Sequence, residues 1–223
     1  MWPLTSGNVA NSIYVEDKPR SLAVAEHRRT RLSMLDQPHI APLTKYVLRL
    51  RELGHGDIPF FDPMDGGIHA PLLFIQQNPG PKAIKSGFIS RNNDDPTAQN
   101  LFEIFCEAGI PRKKTLLWNI VPWYDVSKPP EDRRNVTPKE VKDGAIHLQN
   151  LMELLTNLRV MVAVGQKSRN AISAATASGA IILRASVHLM HSHHTSQLAL
   201  NGAPGRRKQI LDVWKSAYKM AVN

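Results

Sequence analysis

Three short polar segments carry the side chains best suited to chemistry. They are Gln77-Asn78-Pro79-Gly80-Pro81, Asn119 at the end of an apolar run, and residues 188–196, which hold four histidines. A carboxamide offers one hydrogen-bond acceptor and two donors, and a histidine exchanges a proton near neutral pH. These residue types favour a chemistry of hydrogen bonding and positioning.

The histidine-rich segment also raises the alternative of a metal site. Only Thr195 and Ser196 follow as polar groups, so a zinc ion would need distant ligands. The single cysteine, Cys106, excludes an internal disulfide and any four-cysteine iron–sulfur or zinc site, and its apolar surroundings predict a small buried side chain. We therefore expect no metal and no cofactor. The four histidines are His188, His191, His193 and His194.

Alternating apolar runs and amphipathic stretches predict the elements that position these segments. The pattern indicates an α/β fold of a single domain over residues 1–223, in three layers, with a central four-stranded parallel sheet flanked by helices. Residues 1–55 would form an N-terminal helical cover, and residues 71–200 the core that bears the motifs. The predicted strands are Leu72–Ile75, Leu116–Ile120, Val160–Val164 and Ile181–Leu189. The predicted helices are Leu22–Leu35, Pro42–Leu53, Thr97–Ala108, Pro138–Leu155, Lys167–Ala177 and Arg206–Met220.

The predicted topology gathers the three polar segments at one edge of the sheet. Each segment follows a strand, and in open parallel sheets ligands bind outside the carboxyl ends of the strands. Two prolines around Gly80 fix the backbone direction, and the glycine leaves room for a ligand to approach. Asn119 would point into the crevice at the strand ends. The same residues are also common in ordinary turns and strand ends.

The charge and composition bear on the partner. The 223 residues include 42% hydrophobic and 21% charged residues, as in ordinary globular proteins. The net charge of +9 and the isoelectric point of about 9.8 suit a partner that carries phosphates, with an anionic membrane surface or plain solubility as alternatives. No run of roughly 18 apolar residues could span a membrane, and Met1-Trp2-Pro3-Leu4 lacks a signal-peptide pattern. We expect a cytoplasmic, nucleoid-associated protein.

Taken together, the three segments resemble the motifs of the uracil-DNA glycosylase superfamily. Gln77-Asn78-Pro79-Gly80 is similar to the first motif, and Asn119, after Leu116-Leu117-Trp118, is similar to the base-reading asparagine. His194-Thr195-Ser196-Gln197-Leu198 is similar to a second motif of the type His-Pro-Ser-Pro-Leu. The resemblance covers roughly residues 71–200. Its Asn-Pro-Gly form is closest in style to the mismatch-specific and single-strand-selective branches, and the lone cysteine excludes the iron–sulfur branches.

The sequence departs from the family pattern at two places. Gln76 stands where a glycine is usual, and the second motif lacks both prolines. The missing prolines leave the register of that motif open between His191 and His194. We favour His194, because it places Leu198 where the family inserts an apolar wedge into the duplex and keeps Ser196 in phase.

The resemblance implies metal-free, monofunctional hydrolysis of the N-glycosidic bond of uracil in DNA, after the base has been flipped out of the duplex. Asn78 would orient the attacking water. A neutral His194, or His191 in the other register, would donate an N–H to O2 of the departing base. The residues implied to bind the base are Gln77, Phe88, which would stack on it, and Asn119.

The resemblance also implies a DNA-binding surface on a monomer that acts on single- or double-stranded DNA. Basic runs at residues 112–114, 133–134 and 206–208 would assist the grip on the phosphates. The residues implied to contact DNA are Pro79, Gly80, Pro81, Ser192, Ser196, Leu198, Arg206 and Arg207.

Several functions stay open at this point. Gly80 stands where one branch carries a side chain that excludes the 5-methyl group of thymine, so hypoxanthine, xanthine or 5-substituted uracil are alternative substrates. A residue of the loop 86–90 would be another means of exclusion. The sequence also allows a non-catalytic protein that binds uracil in DNA, and a metal-dependent hydrolase built on the histidines.

Overall fold

A four-stranded parallel sheet forms the centre of the molecule. The computed structural model describes residues 16–129, 131–132 and 135–223. The order across the sheet is β4-β2-β5-β6, and all three neighbouring pairs are parallel. This confirms the predicted α/β class with its four-stranded parallel sheet. The strands are β2 (Leu72–Gln76), β4 (Thr115–Asn119), β5 (Val160–Val164) and β6 (His188–Ser192).

Helices cover both faces of this sheet, as predicted. A separate parallel pair, β1 (Phe60–Phe61) with β3 (Phe88–Ile89), was not predicted, because two residues are too short for a periodic signal. The α-helices are α1 (Ala25–Leu32), α2 (Ala41–Glu52), α3 (Pro81–Ser86), α4 (Pro96–Glu107), α5 (Pro138–Leu154), α6 (Gln166–Ala177), α7 (Gln197–Asn201) and α8 (Arg206–Val222).

The alternation of side chains along β2 divides the core into two layers. Phe74 faces α4 and α8, where its ring lies 4.8 Å from the Phe105 ring and 4.9 Å from the Trp214 ring. On the other face of the sheet, Trp118 stacks on Phe61 with the ring centroids 3.9 Å apart. Such aromatic pairs contribute about 0.5–1.5 kcal/mol beyond the area that they bury. The sheet is therefore held rigidly below its carboxyl edge.

Two of the longer helices, α4 and α5, begin at side chains that satisfy their first amides. Asp95 caps α4 by accepting a hydrogen bond from the Ala98 amide at 2.9 Å. Thr137 and Glu140 form a reciprocal capping box at the start of α5. Both helices have proline in the first turn, where its missing N–H costs nothing.

Three predictions need correction. The predicted strand Ile181–Leu189 is wrong: the strand is β6, and Ile182 is 70% exposed in the preceding connection. β6 pairs with only one neighbour at the edge of the sheet, so its polar residues did not give the apolar signal of a buried strand. The predicted helix Leu22–Leu35 is shorter, because the extended Val24 separates a 3-10 turn from α1. Cys106 is exposed rather than buried, because Ile104 and Phe105 form the core side of α4.

Candidate active site

A cavity of about 550 Å³ opens at the carboxyl ends of the strands. Its size falls in the range of small-molecule sites, and the three polar segments meet there as the topology predicts. Of the residues singled out from the sequence, the cavity is lined by Gln77, Asn78, Pro79, Gly80, Pro81, Asn119, His194, Ser196 and Leu198. Phe88, His191, Ser192, Arg206 and Arg207 are outside its wall.

Two carboxamides and an apolar side chain form the floor of the cavity. Gln76 of β2 and Asn119 of β4 are partners in the sheet register, so both side chains project to the same face. Leu117, two residues before Asn119, lies on that face as well. Asn119 is only 2% exposed, and its Nδ2 has no hydrogen-bond partner among the described residues. A buried donor of this kind costs free energy until a ligand supplies an acceptor.

The first loop forms one side of the cavity and is fixed by its backbone. The amides of Ile120 and Val121 donate to the carbonyls of Gln76 and Gln77, both at 2.9 Å. Asn78 is half-buried beyond this point. A Cβ built on Gly80 would meet no atom within 4 Å, so the cavity is open at this side.

His194 lies two residues after β6, on the far side of the cavity from the asparagine floor. The backbone amide of Ser196 donates to its Nδ1 at 3.1 Å. An amide N–H only donates, so Nδ1 is the acceptor and the neutral ring carries its proton on Nε2. The ring rests against Gly165, the residue after β5: a Cβ there would lie 3.1 Å from the His194 Cβ and 3.2 Å from its Cδ2.

The segment that carries His194 is tied to α4. Thr195 is fully buried, and its carbonyl accepts a hydrogen bond from the Asn100 side chain at 2.9 Å. Its hydroxyl donates to the Thr97 carbonyl at 3.4 Å. Ser196 then caps the short helix α7, on which Leu198 is 86% exposed. The imidazole and the exposed leucine are thus fixed to one rigid turn.

The other candidate histidine, His191, lies inside β6 rather than after it. Ser192 projects to the α8 face, where its hydroxyl accepts a hydrogen bond from Trp214 Nε1 at 2.9 Å. His191 therefore projects to the opposite face, away from Asn119. Burial, and then the nearby Arg169, lower the pKa of His191. Its position does not bring it to the cavity.

Phe88 is also placed differently from the expectation. The side chain is 0% exposed and belongs to the core, whereas the next residue, Ile89, lines the cavity. Successive residues of a strand face opposite sides, so only one of this pair reaches the cavity. The prediction that Phe88 stacks on a base does not agree with this position.

Within the described residues, several members of the predicted basic runs are paired with other side chains. Arg206 contacts the exposed His193 at 2.6 Å, and Arg207 pairs with Glu107 at 2.5 Å. Lys208 pairs with Asp212 at 2.7 Å. In the run 112–114, Arg112 is turned inward to buried aspartates. The run Arg133-Arg134 lies outside the described residues.

A buried ionic network supports the wall behind Ser90, which lines the cavity. The Ser90 hydroxyl donates to Asp62, and both Arg31 and Arg112 pair with the same carboxylate. Burial opposes the ionisation of Asp62, but Arg112 and Arg31 outweigh it and hold its pKa below the ordinary value. Arg112 also pairs with Asp65 at 2.8 Å. The network ties α1 to the loop that enters α4.

Sequence reasoning missed three residues of the site. Among the described residues that line the cavity, Asp95 is the one with a carboxylate. Lys167, in the first turn of α6, also lines the cavity. Asp95-Pro96 directly precedes a predicted helix, a capping signal that would have found it. Gly165 adopts φ +91° and carries no local motif, because its role depends on the distant His194.

Within the described part of the chain, no three metal-ligating side chains converge on a possible metal site. Nor is any helix among those residues long and apolar enough to cross a membrane.

The domain has an α/β fold with an open parallel sheet, and its polar site residues lie at the carboxyl ends of the strands. This arrangement is typical of ligand-binding domains with open parallel sheets. Residues 63–217 match the family model described as the uracil DNA glycosylase superfamily, which is more than half of the chain. The protein belongs to that superfamily. Membership gives it a DNA glycosylase role in general, as a DNA repair hydrolase that acts on DNA. No curated protein matches the chain.

Proposed function

We propose that the protein is a monofunctional, metal-free glycosylase that removes uracil from DNA. The observation that carries the proposal is the convergence of Asn78, Asn119 and His194 on one cavity, from three separate strand ends. The unpartnered Nδ2 of Asn119 suits a carbonyl oxygen of the base. We further propose that the protein acts as a monomer in the cytoplasm, in association with the nucleoid.

In the proposed reaction, the base enters the cavity with its carbonyl edge toward Asn119 and is held there while the glycosidic bond breaks. The electron pair of that bond leaves with the base, and negative charge develops on O2. His194 presents its Nε2 proton to this charge, because Nδ1 already accepts from the Ser196 amide. Leu198, exposed at the mouth, would fill the space that the flipped base leaves in the duplex.

A second substrate class has support from one observation. The space beside Gly80 is open, which would suit a 5-substituent or the larger ring system of hypoxanthine or xanthine. Such a glycosylase would use the same floor and the same histidine. A non-catalytic protein that binds uracil in DNA is the third outcome to be separated.

An excision assay on single-lesion oligonucleotides distinguishes these three functions. The wild-type chain is incubated with strands that contain uracil, hypoxanthine, xanthine or 5-substituted uracil, and abasic sites are revealed by alkaline cleavage. We expect uracil to be removed, and His194→Ala to slow its removal by about 10²–10³-fold, as for other oxyanion donors. The matched variant His191→Ala should change the rate less than threefold. Retained binding without an abasic product would identify a binding protein instead.

A further inference from the structure

The wall of the cavity contains a carboxylate that the proposed mechanism has not used. Asp95 lines the cavity at the start of α4, next to Pro96 and Thr97, which also line it. Thr97 is the residue whose carbonyl meets the Thr195 hydroxyl, so this end of α4 lies against the segment that carries His194. Asp95 is therefore close to the histidine loop and lines the same cavity as Asn119.

The proposed mechanism lacks a proton acceptor for the attacking water, and a carboxylate in the cavity wall would supply one. Asn78 can orient a water molecule through its carboxamide, but a carboxamide cannot take up a proton at neutral pH. The sugar of a flipped nucleotide lies at the mouth when its base reaches the floor. A carboxylate beside the sugar can accept a proton from water, and its charge opposes the positive charge that develops on the sugar ring.

The hydrogen bonds of Asp95 leave it one oxygen for this task. Oδ1 caps α4 by accepting from the Ala98 amide at 2.9 Å, and the cap fixes the orientation of the carboxylate. Among the described residues, no side chain pairs with its other oxygen. The neighbouring Asp94 differs in both respects, since it pairs with Lys82 at 2.7 Å and is outside the cavity wall.

We propose that Asp95 is a catalytic residue that activates the attacking water, a role that rests on the proposed glycosylase function. The water oxygen forms a bond to C1′ of the sugar, and the bond from C1′ to the base breaks with its electron pair going to the base. One proton of the water passes to the Asp95 carboxylate and from there to solvent. The products are an abasic sugar with a C1′ hydroxyl and the free base.

The test compares three variants with the wild type in single-turnover excision of uracil. Asp95→Asn and Asp95→Ser remove the carboxylate, and both asparagine and serine still cap a helix. We expect each to slow excision at least 100-fold, in the range of general-base catalysis, with the affinity for uracil-containing DNA changed less than threefold. Asp94→Asn is the matched control and should stay within threefold of the wild type.

Chemical rescue separates the catalytic role from a structural one. Asp95→Ala leaves room for a small acid, so added formate should raise the excision rate of this variant at least tenfold. Chloride at the same ionic strength is the control, because salt alone weakens DNA binding, and it should not raise the rate. Rates of Asp95→Asn and Asp95→Ser within threefold of the wild type would overturn the proposal, as would slow variants that formate does not rescue. A wild-type chain that removes no base would overturn the glycosylase proposal itself.

Discussion

Replacing Gly165 by alanine tests whether the fold positions His194 for chemistry. Gly165 has φ +91° and ψ 157°, a backbone region that is nearly restricted to glycine, and strain of this kind costs about 1–3 kcal/mol. The added Cβ would lie 3.1 Å and 3.2 Å from the Cβ and Cδ2 of His194. Carbon atoms prefer separations of about 3.5–4.0 Å, so the ring must move by roughly 0.5 Å.

That displacement sets the expected loss of rate. A misplacement of about 1 Å in an active site costs up to about 100-fold, so a shift of about half that distance should slow uracil excision by about tenfold. The free energy of unfolding should fall by about 1–3 kcal/mol from the backbone strain, which shifts the midpoint of thermal unfolding by roughly 2–4 °C per kcal/mol in a chain of this size. The rate is measured in single turnover, below the unfolding transition.

A matched glycine separates strain from the contact with His194. Gly179, at the other end of α6, has φ +74°, and a Cβ there would meet no atom within 4 Å. Gly179→Ala should therefore lose stability but keep its rate. In the background His194→Ala, the change Gly165→Ala should cause no further loss of rate, because the residue through which it acts is gone. Additive losses in that double variant would refute the reasoning.

Three other outcomes follow from burial and charge. Asn119→Leu should abolish uracil excision while keeping or raising stability in urea unfolding, since the buried Nδ2 has no partner among the described residues. Leu198→Ala, at an 86% exposed position, should leave stability within about 0.5 kcal/mol and slow excision more on duplex than on single-stranded DNA. Burial, and then His55, hold the pKa of His147 below 6.5, so the folded state binds fewer protons than the unfolded chain below that pH. Unfolding free energy should therefore fall between pH 7.5 and 5.5, and less so in His147→Gln.

The sequence predicts the centre of the sheet better than its edge. Val160–Val164 is a strand with the predicted bounds, because β5 is buried on both faces and its run is continuously apolar. β4 differs from its prediction by one residue at each end. At the edge, β6 has one exposed residue followed by four half-buried ones and no buried residue, so the prediction fell on the more apolar residues before it. The hydrophobic pattern of a sequence indicates which residues are buried. It therefore predicts strand pairing only where the paired strand is also buried.

The same limit applies to the site. Asn119 could be predicted because it ends a strand, and strand ends of a parallel sheet meet at one edge. Asp95 and Gly165 could not be assigned in this way. In the sequence, Asp95 has the pattern of a helix cap and Gly165 that of a turn residue, and only the fold brings Asp95 to the cavity and Gly165 to His194. Functional residues of this kind cannot be predicted from a periodic sequence pattern, because their partners are distant in sequence and meet only in the tertiary structure.

The choice between the two histidines follows from strand parity. Ser192 of β6 is in register with Val164, and it projects toward Trp214, so His191 must project to the other face of the sheet. A side chain inside the strand must follow this alternation between the two faces of the sheet. A side chain beyond the end of the strand can turn toward the cavity. The turn brings His194 over the end of β5, where the missing side chain of Gly165 leaves room for the ring. The position of His194 thus depends on where β6 ends, which is three residues beyond the predicted end of that strand.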